Sequence, residues 1–286
     1  MYARLNEADI FFDVDGVEFA AEPDRMVQRP VVFLLHGGPG GDHSSFKTKV
    51  GELRDVAQLV YVDHRGSGRS RVDDPATCTL EQNVRDVDAL RDYLGLDKIS
   101  VLGSSYGGMV AQGYGIEFTE RLDRLILSVT SPSYRFMEES QAILQERGTA
   151  EQKRVCQWLW DASFENEDQL REYYRVMGPM YSTQFDAQKH EEGWQRGIRN
   201  YQQLNLGFGS FLRTFDFIEQ LATITCPTLV LAGAHDWICP PSQSVLIAEK
   251  IPGAQLELFA DSSHMLTQDE PERFLQVVRD FLQQSR

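Results

Sequence analysis

Only four of the 286 residues are cysteine, Cys78, Cys156, Cys226 and Cys239, and none stands in a C-x-x-C spacing. That excludes a disulfide frame and a thiolate zinc site, and it points to reduced thiols in a cytoplasmic protein. Positive charge is also scarce: 28 lysines and arginines stand against 43 acidic residues, a net charge of −15. A chain this acidic is repelled by nucleic acid and by anionic membrane surfaces, and most of its charge serves solubility. The stretch Met1–Glu7 holds no apolar run of signal-peptide length. No segment reaches the roughly 18 apolar residues of a bilayer span. Repeats and low-complexity tracts are absent too. What remains is 42% hydrophobic and 25% charged, the composition of a soluble globular protein. The length suits one large α/β domain with an insertion, or two small domains.

The richest signal is Leu102-Gly103-Ser104-Ser105-Tyr106-Gly107-Gly108, a Gly-x-Ser-x-Gly motif centred on Ser105. Apolar residues before it predict a buried strand, and residues 109–118 after it predict a helix. A sharp strand-to-helix turn lifts a serine hydroxyl clear of the backbone, provided positions 103 and 107 carry no side chain. The same turn aims the Tyr106 N–H at the place where an oxyanion would form.

Along the chain, Asp15-Gly16 between apolar runs predicts a hairpin. Residues 30–35 predict a strand buried on both faces, ending in His36-Gly37-Gly38-Pro39-Gly40-Gly41. That loop lacks the Gly-Lys-Ser/Thr of a phosphate cradle. It is better suited to bring a second N–H, from Gly38 with Gly37 beside it, to the oxyanion position. A helix is expected over 44–56, a strand over 58–62, a helix over 80–94 ended by Gly95, and a strand over 122–129. Residues 133–220 are rich in Glu, Gln, Arg and aromatics and carry no strand-like run, which predicts a helical cap. Strands over 226–233 and 255–259 and helices over 243–251 and 271–282 complete the body. The division expected is a core of residues 1–132 and 221–286 with a cap of 133–220. Strands alternating with helices imply a mostly parallel sheet with right-handed crossovers.

Ser105, Asp236 and His264 each fall just past the end of an expected strand, the edge of an α/β sheet where ligands bind. Serine is a weak nucleophile at its free pKa. His264 would take its proton, and Asp236 would hold the imidazole in the right tautomer. The chain order Ser, Asp, His is that of α/β hydrolases. His36 and His64 read as orienters of backbone.

Taken together, His36-Gly37-Gly38-Pro39-Gly40, Asp63-His64-Arg65-Gly66-Ser67-Gly68-Arg69-Ser70, Gly103-Ser104-Ser105-Tyr106-Gly107-Gly108, the Asp236 turn ending in Cys239-Pro240, and Ser263-His264 resemble the proline iminopeptidase branch of the α/β-hydrolase family. The resemblance implies an α/β-hydrolase fold with a helical cap. It also implies a Ser-His-Asp hydrolase, without metal or cofactor, that removes an N-terminal residue, often proline, from small peptides. Family aminopeptidases hold the substrate amine with acids late in the cap and, in some members, directly after the catalytic Asp. Here those positions carry Asn205 and Trp237, neither of which neutralises an ammonium group. Glu138 and Glu139, early in the cap, are the candidate substitutes. The expectation is therefore a serine hydrolase that cleaves small uncharged acyl esters or amides at least as well as proline arylamide. A carboxylesterase or lactonase is the alternative enzyme, and a ligand-binding receptor on the same fold is the alternative outside catalysis.

Overall fold

The structure is a computed structural model and describes residues 1–284. The chain opens with β1 (Tyr2–Leu5) and β2 (Ala8–Asp15), an antiparallel pair. The turn between them is Asn6-Glu7, both at positive φ (45° and 65°). The hairpin expected at Asp15-Gly16 does not form. β2 instead continues antiparallel to a later strand, and the next two short strands, β3 (Phe19–Ala21) and β4 (Met26–Gln28), pair only with each other. Gly16 is still required, because at φ +81° a Cβ there would lie 2.6 Å from the Ala57 carbonyl oxygen.

The body then alternates: β5 (Val31–Leu35), α1 (Ser44–Lys49), β6 (Gln58–Val62), the two-residue β7 (Arg71–Val72), α2 (Leu80–Tyr93), β8 (Ile99–Ser104), α3 (Tyr106–Glu117) and β9 (Leu122–Ser128). The single helix expected over 44–56 is α1 followed by a 3-10 turn over Gly51–Asp55. Five helices follow without an intervening strand: α4 (Phe136–Arg147), α5 (Ala150–Trp160), α6 (Glu167–Tyr181), α7 (Ala187–Arg196) and α8 (Tyr201–Gly209). The chain returns through β10 (Thr228–Gly233), α9 (Pro241–Lys250), β11 (Gln255–Phe259), the short α10 (Leu266–Asp269) and α11 (Pro271–Gln283). No helix among the described residues is long and apolar enough to cross a membrane.

Strand order in the main sheet is β1-β2-β6-β5-β8-β9-β10-β11, with β7 against β2. From β6 to β11 all neighbours are parallel. Alternation along each strand sends side chains to opposite faces. Val31, Phe33 and Leu35 enter one apolar cluster, and Val32 and Leu34 enter the other. The first cluster runs on into the five-helix segment through Phe136, Val155, Trp160 and Tyr173, so those helices share the core of the body. The chain leaves β5 for β6 on one side and later takes up β8 on the other. That reversal opens a crevice at the carboxyl ends of β5 and β8. Leu35 is paired with Gly103 across it, so the loops that follow start side by side.

Candidate active site

Ser105 sits at φ 55°, ψ −120°, a strained conformation for a residue with a Cβ, and heads α3. The surroundings hold it there. Its N–H donates to the Ser128 carbonyl (2.9 Å), and its carbonyl accepts from Thr130 Oγ1 (2.7 Å) and Gly108 N–H (2.9 Å). The flanking glycines are steric necessities. A Cβ at Gly103 would overlap the Gly107 carbonyl of α3, and one at Gly107 would overlap the Leu35 carbonyl of β5. A Cβ at Gly37 would lie 3.2 Å from Ser105 Cβ, so the β5 loop passes directly over the serine. Gly38 has φ +131°, which glycine alone adopts readily.

That loop is braced from below. The His64 N–H donates to His36 Nε2 (3.1 Å), and His64 Nε2 bonds the His36 carbonyl (3.1 Å). His36 Nδ1 therefore carries its proton and donates to the Gly37 carbonyl (2.7 Å). Burial lowers the pKa of both imidazoles, which suits this neutral arrangement. Gly40 N–H donates to Ser67 Oγ (3.1 Å). The buried Tyr106 phenol accepts from Asn83 Nδ2 (2.9 Å), which fixes the side chain behind the turn residue.

Asp236 lies three residues past β10 and His264 five past β11. His264 Nδ1 donates to Asp236 Oδ2 at 2.7 Å. The other carboxylate oxygen accepts from the N–H groups of Ile238 (2.9 Å) and Cys239 (3.0 Å). Asp236 is 1% exposed and buried behind the imidazole, so the pair is directed. Asp261, the acid nearer His264 in sequence, is exposed and plays no part in it. Ser263 Oγ donates to the Met180 carbonyl (2.6 Å), and the Tyr181 ring meets His264 edge-on at 5.5 Å, so α6 fixes the histidine loop from above.

Ser105, His264, Gly37, Gly38 and Tyr106 all line one cavity of about 700 Å³ between the sheet edge and the helices. Cys239 lines it too, with its thiol beside the Ser105 hydroxyl. Burial raises that thiol well above its ordinary pKa and keeps it neutral. This neighbour escaped the sequence reading, although Cys239-Pro240 was part of the motif. Among the described residues no cluster of three or more His, Cys, Asp or Glu could hold a metal ion.

The four residues expected to line the substrate pocket do not line it. Trp237 is fully buried and packs edge-on against Trp160 and Tyr181, its side chain turned into the core. The Asn205 amide is spent on the backbone of Phe164, accepting from its N–H (3.1 Å) and donating to its carbonyl (2.7 Å). Glu139 accepts from Ser242 Oγ and Gln243 Nε2 outside the cavity. Glu138 stands on the same helix, also outside it. The acids that do line the cavity are Asp42 and Glu192. Asp42 already accepts from Ser44 Oγ (2.6 Å), Arg69 Nη1 (3.0 Å) and Ile198 N–H (3.0 Å), and Glu192 is exposed.

Comparison with known proteins bears on the same region. The family described as alpha/beta hydrolase fold matches residues 30–271. The chain is 31% identical over 279 residues to proline iminopeptidase PfmaB of Pestalotiopsis fici, covering 96% of this chain and 99% of that one. Among solved structures, a proline iminopeptidase from Mycobacterium smegmatis superposes with a TM-score of 0.77 at 22% identity, covering 99% of this chain and 97% of that one. An enol-lactonase from Burkholderia xenovorans LB400 superposes at 0.71 and 21%, covering 99% and 100%.

Proposed function

The chain belongs to the alpha/beta hydrolase fold family and is a serine hydrolase of the proline iminopeptidase-like type, and from that premise we propose that Ser105, His264 and Asp236 form its catalytic triad. The observation that carries this reading is the buried His264–Asp236 pair at 2.7 Å, facing the same cavity as a serine held in a strained turn. Ser105 Oγ attacks the carbonyl carbon of an ester or amide, and His264 Nε2 takes the hydroxyl proton. Asp236 stabilises the imidazolium, and His264 returns the proton to the leaving group as the acyl-enzyme forms. Water then repeats the cycle on the acyl group. The Tyr106 and Gly38 N–H groups receive the negative charge on the carbonyl oxygen. Residues 133–220 act as the cap that roofs this chamber. Four buried free cysteines support a reducing, cytoplasmic setting. Small acyl compounds or short peptides are the substrates, and neither nucleic acid nor membrane takes part.

Within that class we favour acyl esters or amides that lack a free α-amine. An ammonium group entering the cavity loses hydration, and a carboxylate must offset the loss. Asp42 is already satisfied by three donors, and Glu192 faces solvent. The test compares kcat/KM for a proline arylamide, its N-acetylated form and a short-chain aryl ester. The ester is expected to match or exceed the free arylamide. A preference above about tenfold, roughly 1.4 kcal/mol, for the free amine over the blocked one would restore the aminopeptidase.

A further inference from the structure

The cavity that holds Ser105 is lined by more positive than negative charge, in a chain with fifteen more acids than bases. Its cations are Lys49, Lys189, Arg196 and Arg199, and its acids are Asp42 and Glu192. Asp42 is engaged by Arg69. Arg199 is committed to structure, donating to the Trp194 carbonyl (2.9 Å) and stacking over the Trp194 ring at 4.4 Å. The other three cations have no carboxylate within 4.0 Å among the described residues. Acids are not in short supply nearby. On the same helical segment Arg171 is paired with Glu191 and Arg154 with Glu172. Lys189, Glu192 and Arg196 fall at i, i+3 and i+7 of α7, one face of the helix, and all three line the cavity. Lys49 approaches the same space from the end of α1, on the body. Burial lowers its ammonium to about 8; Asp269 opposes that shift and Arg196 adds to it, so Lys49 and Arg196 feel each other's charge.

Three cations gathered around one concave site, with only the exposed Glu192 among them and no close ion pair among the described residues to hold them, concentrate an oppositely charged ligand. We propose that Lys49, Arg196 and Lys189 form an anion subsite, and that the substrate carries a carboxylate or phosphate remote from the bond that Ser105 cleaves. The proposal rests on the serine-hydrolase reading. It adds a charge requirement that the sequence, which pointed to uncharged acyl groups, did not disclose.

The test uses 4-nitrophenyl butyrate, the 4-nitrophenyl half-ester of glutaric acid, and a phosphate-ended ester of similar length. For the parent enzyme, one of the two anionic esters is expected to exceed the butyrate in kcat/KM by about tenfold, expressed mainly in KM, and which one wins identifies the anion. In the double variant Lys49→Gln, Arg196→Gln the ratio should fall to within about twofold of one, and Lys49→Arg should keep it. Raising salt from about 20 to about 500 mM should shrink the parent's ratio, a result that needs no variant to fold. A parent ratio at or below one for both anions, or a ratio that survives the double change, overturns the proposal. Failure of the catalytic reading is separable. Calorimetry on Ser105→Ala with monomethyl glutarate, a monoalkyl phosphate of similar length and dimethyl glutarate should show one of the anions binding roughly tenfold tighter than the neutral diester, and equal binding of all three would refute the subsite whatever the chemistry.

Discussion

The floor and the mouth of one cavity are built on opposite terms. The floor is made of strand ends and glycine contacts: Gly103 against α3, Gly107 against β5, Gly37 over Ser105, and His264 between Asp236 and Tyr181. Its glycines are fixed by steric exclusion, Ser105 by backbone hydrogen bonds, and His264 by the buried Asp236 carboxylate. The mouth is made of Lys189 and Arg196, exposed on α7, and half-buried Lys49, none of them ion-paired among the described residues. Chemistry that tolerates no displacement is placed where the sheet fixes it. Recognition of a remote group is left to side chains that can reorient.

That contrast can be broken most sharply at the floor. Replacing Ser105 or His264 by alanine should lower kcat by about 10⁴-fold or more with the fold intact, as read by circular dichroism and steady-state kinetics. Asp236→Asn should cost somewhat less, because nucleophile and base both remain and only the tautomer of the imidazole is disturbed. A His264→Ala variant with most of its activity would remove the histidine from the mechanism. A smaller loss is expected from Gly38→Val, which forces a Cβ into a φ +131° position 2.9 Å from Gly40 N. Disturbing one oxyanion donor should cost about 3 kcal/mol, near 10²-fold in kcat, and an unchanged kcat would make the loop structural only.

The brace beneath the floor yields a pH effect. Burial of Asp63 favours the neutral acid, but hydrogen bonds from His43 (2.7 Å) and the Arg69 N–H (2.8 Å), with the nearby imidazoles, outweigh it and hold the carboxyl at about 2. A carboxyl depressed in the folded state stabilises above its unfolded pKa, and the benefit is lost as pH falls through the folded value. Asp63 should therefore contribute about 2 kcal/mol above pH ~4, lost between ~4 and ~2. Urea unfolding of the parent and Asp63→Asn should show a stability gap that narrows across that window; a gap independent of pH would assign its cause to packing. Effects at the mouth should be the smallest, about tenfold and confined to charged substrates.

The same division marks what was legible in the residues. Strands over 58–62 and 255–259 and the helix from Leu80 match the structure closely, because apolar runs, strand alternation and helical spacing are local signals. The strand-end placement of Ser105, Asp236 and His264 was legible for the same reason, because each follows a strand and the turn at Ser105 is limited by glycine. The Asp15-Gly16 hairpin failed because a turn residue cannot say which strand its neighbour will join, and here β6 claimed β2. The pocket failed for a related reason. Trp237 and Asn205 were placed by position along the chain, whereas core packing and the Phe164 backbone claimed their side chains. Lys49 and Arg196 lie 147 positions apart, and no sequence pattern joins them.

The most direct measurement is intact-mass and peptide mass spectrometry after reaction with a fluorophosphonate. A single adduct on the peptide containing Ser105 is expected, absent in Ser105→Ala and formed far more slowly in His264→Ala. No adduct on the parent protein, or an adduct that persists in Ser105→Ala on another residue such as Cys239, would contradict a serine nucleophile at this floor.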